Sequence, residues 1–458
     1  MRRTLFRTLT ATVAVGAVTA LLAGCGAESS SSSSASFGTE ANGTLNAWGF
    51  DNADDVGTSR LAYAKKQLPD LTVKLDKTPF DAGKFTTRVA GGAVPDVVQM
   101  DRNFVATYAA QGLILSLDQC FSAHKVDPSS AYYASVVDDI TYKGKVWAVP
   151  QFYQPPAIIT NERVLQAAGV ADADIDTSQP DKLVAAAQKA YKASGGTPSL
   201  VGFDPQATGQ AGLWILGAGG QLIDSSGKPT LDDPKNRAGL ELLKKLTEAQ
   251  GGYAKMKSFT DSFDFFGDKN QYVTDQVGAE VNNQWYVNVL SPYADNLQIG
   301  AVPFKSADGK PFTVASGTAF VIPAAAKNKD AACAWAVDLT TLGAWEAAGV
   351  AREKTLQKTP GAINTGIFTG SPEADKTLRE KYVKSSGNAG FDQTIATFYE
   401  VVANGKSFGA SPAGQQIQTE LQNAVSSYLL GDKPAEKALS DAQEAALRAW
   451  DQSTKNSK

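Results

Sequence analysis

The sequence of 458 residues contains very little histidine and cysteine: one histidine, His124, and three cysteines. A Ser-His-Asp or Cys-His catalytic arrangement would have to use His124, which lies in a polar stretch, Phe121–Lys125, without a nucleophile motif beside it. The same shortage excludes zinc sites built from several histidine or cysteine side chains. We therefore expect neither a metal ion nor another cofactor, and the composition does not favour an enzyme.

The chain also lacks an excess of basic residues: 43 Lys and Arg stand against 47 Asp and Glu, and the formal net charge is -4. Because no basic stripe is present, nothing predicts a nucleic-acid partner. Long hydrophobic runs are missing after Cys25, since none approaches the roughly 20 residues of a membrane-spanning helix. The content of 43% hydrophobic and 20% charged residues is that of an ordinary globular protein.

The N-terminal segment has the order of a secretory signal peptide. Early arginines are followed by an apolar run, Leu9–Ala23, which is too short to span a membrane comfortably. Leu22–Cys25 (LAGC) resembles the lipobox of bacterial lipoproteins, in which the cysteine is acylated and the bond before it is cut. We expect residues 1–24 to be a signal peptide and Cys25 to carry the lipid. The alternative is an ordinary signal peptide followed by a stray cysteine.

A linker is expected to follow the anchor, over residues 25–43. It contains a run of serines, Ser29–Ser34, a composition that cannot bury apolar surface. As a flexible coil, this segment would reach on the order of 20 Å from the anchor. We predict a globular body held away from a membrane, with a short tail at residues 454–458.

From residue 44 onward, short apolar strands alternate with amphipathic helices, which is typical of an α/β protein. Leu45–Gly49 and Asp96–Met100 are predicted strands, and Asn103–Gln111 is a predicted helix that Gly112 can close in the left-handed conformation. A chain of this length is too long for one core, so two lobes are expected. In such sheets, ligands bind beyond the carboxyl ends of the strands.

Further along, Ile140–Pro150 is predicted to form a hairpin that turns at Lys143 and Gly144. Ser178 and Asp181 have the spacing of a capping box, which predicts a helix that starts there. The pattern of Gln415–Asp451 predicts helix throughout.

Several segments, in this order, resemble the bacterial solute-binding proteins of ABC importers, the extracellular family typified by the maltodextrin-binding protein. The resemblance covers roughly residues 44 to 452, and it depends on the order and spacing of motifs that are weak one by one. The segments that carry it are Phe85–Val98, Tyr142–Pro150, Asn161-Glu162, Gly220–Asp224 and Lys228–Leu231. The sequence departs from the family's pattern at Thr160-Asn161, at Ser178–Asp181 and at Gly267–Val273.

The resemblance implies an α/β, two-lobed periplasmic-binding-protein fold of type II, with a hinge and a ligand cleft between the lobes. Hinge segments would lie near Val149–Tyr153, Val302–Phe304 and Leu342–Val350. The expected boundaries are residues 44–152 and 303–345 for the N-lobe, and residues 153–302 and 346–453 for the C-lobe.

Cys120 and Cys333 remain once Cys25 carries lipid. Outside the cytoplasm such a pair can form a disulfide or stay as two buried thiols, and spacing alone leaves both open. By the resemblance both cysteines fall in the N-lobe, which favours the disulfide.

The resemblance also implies a function. A small-molecule carbohydrate would bind between the lobes and be delivered to the membrane subunits of an ABC-type permease, by a monomer lipid-anchored on the extracytoplasmic face of the cell membrane. The alternatives are the same fold with a non-sugar solute, a secreted glycoside hydrolase, and a surface adhesin.

A sugar site needs flat apolar faces for the ring and converging polar groups for the hydroxyls. Each candidate has another explanation, since tryptophan is often a core residue and Asp101 could cap a helix. The ligand-binding candidates are Trp48, Phe50, Asp51, Asp101, Arg102, Phe152, Tyr153, Trp214, Asn282, Asn283, Trp285, Tyr286 and Ser316.

Overall fold

The structure is a computed structural model, which describes residues 35–50, 53–359 and 361–455. Helices and short strands alternate along these residues. The strands are β1 Gly43–Trp48, β2 Leu71–Asp76, β3 Val97–Asp101, β4 Thr141–Tyr142, β5 Lys145–Val146, β6 Val149–Tyr153, β7 Pro156–Asn161, β8 Lys192–Ser194, β9 Thr197–Leu200, β10 Ala279–Asn283, β11 Ile299–Val302, β12 Thr313–Val314, β13 Gly317–Val321 and β14 Gly405–Lys406. The helices are α1 Asp55–Gln67, α2 Ala82–Ala90, α3 Val105–Ala110, α4 Asp118–Ala123, α5 Pro128–Ala131, α6 Ala134–Ile140, α7 Glu162–Ala167, α8 Pro180–Ala190, α9 Ala211–Gly217, α10 Asn236–Glu248, α11 Tyr253–Thr260, α12 Tyr286–Leu290, α13 Lys329–Asp338, α14 Leu342–Leu356, α15 Pro372–Tyr382, α16 Ala389–Val401, α17 Gly414–Leu430 and α18 Ala435–Lys455.

A five-stranded sheet has the order β2-β1-β3-β13-β6. Strand β1 runs parallel to β2 and β3, whereas β13 runs antiparallel to β3 and β6. Successive side chains of β3 enter different hydrophobic clusters, Val97 on one face and Val98 on the other, because strand side chains alternate in direction. Since β1 and β3 are parallel neighbours, Trp48 and Asp101 end at the same edge of the sheet.

A second, three-stranded antiparallel sheet has the order β10-β7-β11. The chain enters it from the first sheet between Tyr153 and Pro156, and it returns between Val302 and Gly317. These two passages lie beside the first two expected hinges. The third expected hinge lies inside the continuous helix α14, as does the boundary expected at residue 345. The lobe boundaries stay a prediction.

Two large hydrophobic clusters fill the structure. One contains the first sheet's Leu45 and Phe320 together with Phe398 of α16, and the other contains Leu243 of α10 with Leu421 of α17. In the described part of the chain, no helix has both the length and the apolar character needed to cross a membrane.

Local predictions met different outcomes. The hairpin is confirmed, with β4 and β5 paired across Lys143 and Gly144, both at positive φ. The capping box at Ser178 is wrong, because its hydroxyl donates to Asp176 at 2.6 Å and α8 begins only at Pro180. The continuous C-terminal helix is also wrong, because Gly431 ends α17 in the left-handed conformation with φ of 85°.

The two remaining cysteines form a disulfide. Cys120 on α4 and Cys333 on α13 are joined, with their Cα atoms 5.8 Å apart and no exposed surface. The bond fixes these two helices to each other in the part of the structure built on the first sheet.

Candidate functional site

A cavity of about 310 Å³ lies between the two sheets. The first sheet contributes the carboxyl end of β3 and the segment before β13, and the second contributes the end of β10. The start of α9, the first turns of α17 and the segment after β14 complete the wall. The polar side chains that line it are Asp101, Arg102, Asn103, Asp139, Gln154, Gln210, Asn283, Ser316, Ser411, Gln418 and Gln422.

Arg102 holds the floor of this cavity together. Its guanidinium is buried and donates to the carbonyl oxygens of Phe152 at 2.7 Å, Ala315 at 2.7 Å and Thr318 at 3.3 Å. Its Nε also donates to Asp139 Oδ2 at 3.3 Å. Arg102 thereby ties the end of β3 to both passages between the sheets, and its hydrogen-bonding capacity is largely used by the protein itself.

A glycine makes this arrangement possible. Gly317 has φ of 148°, and a Cβ there would lie 2.0 Å from the carbonyl oxygen of Phe152 and 2.7 Å from Arg102 Nη1. Any side chain would therefore push the two passages and the guanidinium apart.

Asp139 of α6 lies beneath the same site. It accepts from Arg102 and from the hydroxyl of Ser407, which belongs to the segment after β14. Burial raises the pKa of Asp139 to about 6, although Arg102 and Ser407 both lower it. The carboxylate thus connects α6 to Arg102, at the end of β3, and to the segment after β14.

The two passages between the sheets are also bonded to each other directly. The Ser316 hydroxyl donates to the Gln154 carbonyl at 2.6 Å, and the Gln154 backbone N–H donates to the Ser316 carbonyl at 2.8 Å. The cavity is lined by four of the predicted site residues: Asp101, Arg102, Asn283 and Ser316.

Amide side chains are the main feature that sequence reasoning missed. Gln418 and Gln422 lie one turn apart on α17 and so both face the cavity. The sequence predicts this helix from its buried apolar positions, Ile417, Leu421 and Val425, and the two glutamines between them were not among the predicted site residues. The signal that could have found them is a pair of uncharged polar residues at i and i+4 beside that apolar stripe.

Asn283 ends β10 at the cavity wall. Its backbone N–H donates to Asn282 Oδ1 at 3.0 Å, while its own Oδ1 is buried and has no hydrogen-bond partner among the described residues. Asn282 itself is buried on β10 and does not line the cavity. Buried acceptors are nearly always satisfied, so this oxygen marks a place for a donor from a ligand or water.

Two of the predicted aromatic platforms lie in the core of the first sheet. Trp48 is 1% exposed, and its indole N–H donates to Thr78 Oγ1 at 3.1 Å. Phe50 is also 1% exposed and packs against the rings of Phe320 and Trp335. Neither lines the cavity.

Four other predicted aromatic residues also lie outside the cavity lining. Trp214 is buried and donates from its indole N–H to the Pro205 carbonyl at 2.8 Å. Tyr153 and Tyr286 have no exposed surface. Phe152 is half-buried, and its ring packs edge-on against Trp345, with centroids 5.4 Å apart.

Trp285 also lies outside the cavity lining, but it is half-buried and follows the lining residue Asn283 by two residues. Its ring packs against Phe265 and Phe266. Asp51 and the lipidation candidate Cys25 lie outside the described residues.

Two buried acidic side chains lie close to each other, Glu280 on β10, three residues before Asn283, and Asp204. The side-chain N–H groups of Gln206 donate to Asp204 Oδ2 at 3.0 Å and to Glu280 Oε1 at 2.8 Å, and Gln271 Nε2 donates to Glu280 Oε2 at 2.9 Å. Burial raises the pKa of both carboxyls, and their mutual repulsion raises that of Glu280 further.

We expect Glu280→Gln to flatten the dependence of stability on pH. The unfolded chain releases the Glu280 proton near pH 4.3, whereas the folded chain retains it to higher pH. The native state therefore binds more protons above pH 4.3, and the free energy of unfolding of the wild type falls as pH rises towards neutrality. The glutamine variant should be more stable at pH 7 by about 1–3 kcal/mol, because the buried Oε1 of Gln271 can accept from the new amide.

Denaturant unfolding at pH 5, 6, 7 and 8 measures this effect. Exposed Glu353 provides the control, since Glu353→Gln should leave the profile parallel to that of the wild type. A parallel profile for Glu280→Gln as well would show that Glu280 does not bind the extra proton.

The mixed α/β structure with a polar cavity between two sheets defines the class of two-lobed solute-binding proteins, as the resemblance implied. The model of the family described as bacterial extracellular solute-binding protein matches residues 52–343. The chain belongs to this family. No curated protein sequence matches it significantly.

Solved structures agree with this fold. A structure of CpMnBP1 with mannotriose has a TM-score of 0.70 and 23% identity, over 88% of this chain and 99% of the other. A solute-binding protein of Listeria monocytogenes in complex with cycloalternan has a TM-score of 0.71 and 17% identity, over 89% and 98%. UgpB of Mycobacterium tuberculosis in complex with glycerophosphocholine has a TM-score of 0.66 and 16% identity, over 90% and 99%.

Proposed function

We propose that this chain is the solute-binding lipoprotein of an ABC importer and that it captures a carbohydrate in the cavity between its sheets. The observation that carries the proposal is the lining of the cavity by amides. Asn and Gln each offer a donor and an acceptor, which suits hydroxyl groups that also donate and accept. The amide residues are Asn103, Gln154, Gln210, Asn283, Gln418 and Gln422.

The charges of the lining favour a neutral solute over an anion. Among the described residues of the wall, the charged ones are Asp101, Arg102 and Asp139. Arg102 is the one basic residue of the three, and its donors are directed to backbone carbonyls and to Asp139. An anionic solute would therefore meet two acidic side chains and a cation that is already bonded, whereas sugar hydroxyls can donate to the acidic groups.

The proposed mechanism is closure around the solute. Backbone passages, among them those at residues 153–156 and 302–317, join the parts built on the two sheets, which is the connectivity of a hinge. A solute that contacts both sides of the cavity binds the closed form better, and it shifts the equilibrium by that difference in affinity. A permease that distinguishes the closed form then accepts only loaded protein.

Lipid on Cys25 would keep the protein beside its permease on the extracytoplasmic face of the membrane. Tethering raises the effective concentration of one partner near the other without adding a contact. We propose that the protein acts there as a monomer and has no catalytic activity.

We expect Asn283→Ala to weaken binding of the solute by roughly 5- to 50-fold. The variant loses the buried Oδ1 at the cavity wall, which has no donor among the described residues and is available to a donor of the solute. Its free energy of unfolding should change little, since the Oδ1 has no intramolecular hydrogen bond to lose. Isothermal titration measures the affinity, and Asn404→Ala at an exposed position is the control. Unchanged affinity for Asn283→Ala would remove this residue from the site.

The solute class itself is tested in two ways. Native mass spectrometry of the purified protein detects a solute carried through purification. Thermal shift with mono- and oligosaccharides, glycerophosphodiesters and amino acids then ranks the classes. Stabilisation by non-sugar solutes alone would show that the solute is not a carbohydrate. Release of reducing ends from oligosaccharides would show that the protein is a hydrolase.

A further inference from the structure

Residues 405–411, the crossing segment, lead from the part built on the first sheet to the part built on the second. At the start of the segment, a Cβ on Gly405 would lie 1.7 Å from the hydroxyl oxygen of Tyr153, which ends β6. Further along, Phe408 packs against the hydrophobic cluster of the second part, and a Cβ on Gly212 of α9 would lie 2.5 Å from its ring. The crossing segment is therefore held against a different part at each end.

One side chain of the crossing segment is bonded across the boundary between the parts. The Ser407 hydroxyl donates to Asp139 Oδ1 of α6, and Asp139 Oδ2 accepts from Arg102 Nε at 3.3 Å. The same guanidinium donates to the carbonyl oxygens of Phe152 and Ala315, which belong to the other two passages. Through Ser407, the crossing segment thus joins the polar group that already ties those two passages together.

The crossing segment also has room to move. Phe408, Gly409 and Ala410 line the cavity between the sheets and, in addition, a larger cavity of about 1,120 Å³. Gly409 has φ of 90°, in the region that favours glycine, and its N–H donates to the Ser407 hydroxyl at 2.8 Å. Because two cavities adjoin these residues, polar bonds contribute more than close packing to the position of the segment.

We propose that Ser407 and Asp139 form a latch that stabilises the arrangement of the two parts in this structure, and that their hydrogen bond breaks when the cavity between the sheets opens. The inference rests on the closure mechanism of the proposed function. A hydrogen bond to a carboxylate is roughly twice as strong as one between neutral groups. The latch therefore raises the fraction of solute-free protein that is ready to bind, and the apparent affinity for the solute rises with that fraction.

A second serine–aspartate bond provides a matched comparison. The hydroxyl of exposed Ser385 donates to Asp392, and both residues belong to the start of α16 and its approach. These residues are 7 positions apart, whereas Ser407 and Asp139 are 268 positions apart. Loss of either serine hydroxyl removes a bond of the same kind, but only the bond of Ser407 links the two parts.

The test is small-angle X-ray scattering of the purified, solute-free protein at pH 8. Burial raises the pKa of Asp139 to about 6, so its carboxylate is ionised under these conditions. We expect Ser407→Ala to increase the radius of gyration, because the parts separate, and Ser385→Ala to leave it unchanged. Ser407→Thr keeps the hydroxyl and should restore the wild-type value.

Titration calorimetry with mannotriose and maltotriose adds the effect on binding. For the saccharide that binds the wild type, Ser407→Ala should have roughly three- to tenfold weaker affinity. Ser407→Thr and Ser385→Ala should bind as the wild type does.

The scattering result does not depend on the class of solute. An unchanged radius of gyration in Ser407→Ala, an equal change in Ser385→Ala, or no recovery in Ser407→Thr overturns the latch. A larger radius with unchanged saccharide affinity also overturns it, because the bond would then not control binding. A larger radius without binding of either saccharide, together with stabilisation by another solute class, supports the latch and overturns the carbohydrate as solute.

Discussion

Arg102→Ala should destabilise the protein by about 3–5 kcal/mol, which is the largest effect that we expect from one substitution. The guanidinium donates to three backbone carbonyls and to Asp139, and its side chain is 1% exposed. Its removal leaves these acceptors buried without a donor and leaves Asp139 without its cation. Binding should also fail, because both passages that frame the cavity lose their common donor.

Urea unfolding of Arg102→Ala and Arg102→Lys measures this loss. Lysine restores the charge but cannot reproduce a planar fork directed at several acceptors, so it should recover only part of the stability. Arg448→Ala is the control, since Arg448 is 68% exposed and lies 4.0 Å from Glu444, where an ion pair contributes about 0–1 kcal/mol. If Arg102→Ala were as stable as this control, the side chain would not hold the passages together.

The second large effect is expected from the disulfide. Replacing Cys120 and Cys333 together with alanine should lower the free energy of unfolding by about 2–5 kcal/mol, because the bond closes a long loop in the unfolded chain. Both sulfur atoms belong to residues with no exposed surface, so alanine also leaves a small cavity.

Thermal unfolding of the double variant, compared with the wild type with and without reductant, separates the two contributions. The reduced wild type loses the cross-link but keeps the sulfur atoms, and it should lie between the oxidised wild type and the variant. Equal stability of the reduced and oxidised protein would show that the bond does not constrain the unfolded chain.

The sequence predicts the α/β fold well because the alternation of strands and helices is a local property. The hairpin at Lys143 and Gly144 is confirmed, since turn chemistry depends on the residues in the turn. The break at Gly431 was missed because the apolar pattern continues on both sides, although Gly431 followed by Pro434 is a sequence signal for the end of a helix.

The candidate site could be predicted only in part. Residues that follow directly after strands, such as Asp101 and Asn283, line the cavity because the topology brings strand ends together. The aromatic candidates Trp48 and Trp214 are buried in the core. They were predicted as ligand platforms because the sequence alone does not distinguish an aromatic platform from an aromatic core residue. The glutamines of α17 come from far along the chain, and only the fold places them opposite β3.

The position of the disulfide also constrains the order in which the molecule is completed. The bond joins residues separated by 213 positions, and the whole of β7, β10 and β11 lies inside the ring that it closes. The ring cannot close until synthesis has passed Cys333, by which time all three strands of the second sheet have been made. Closing the bond therefore encloses all three strands of the second sheet in one covalent ring, whose two ends lie on helices packed beside the first sheet.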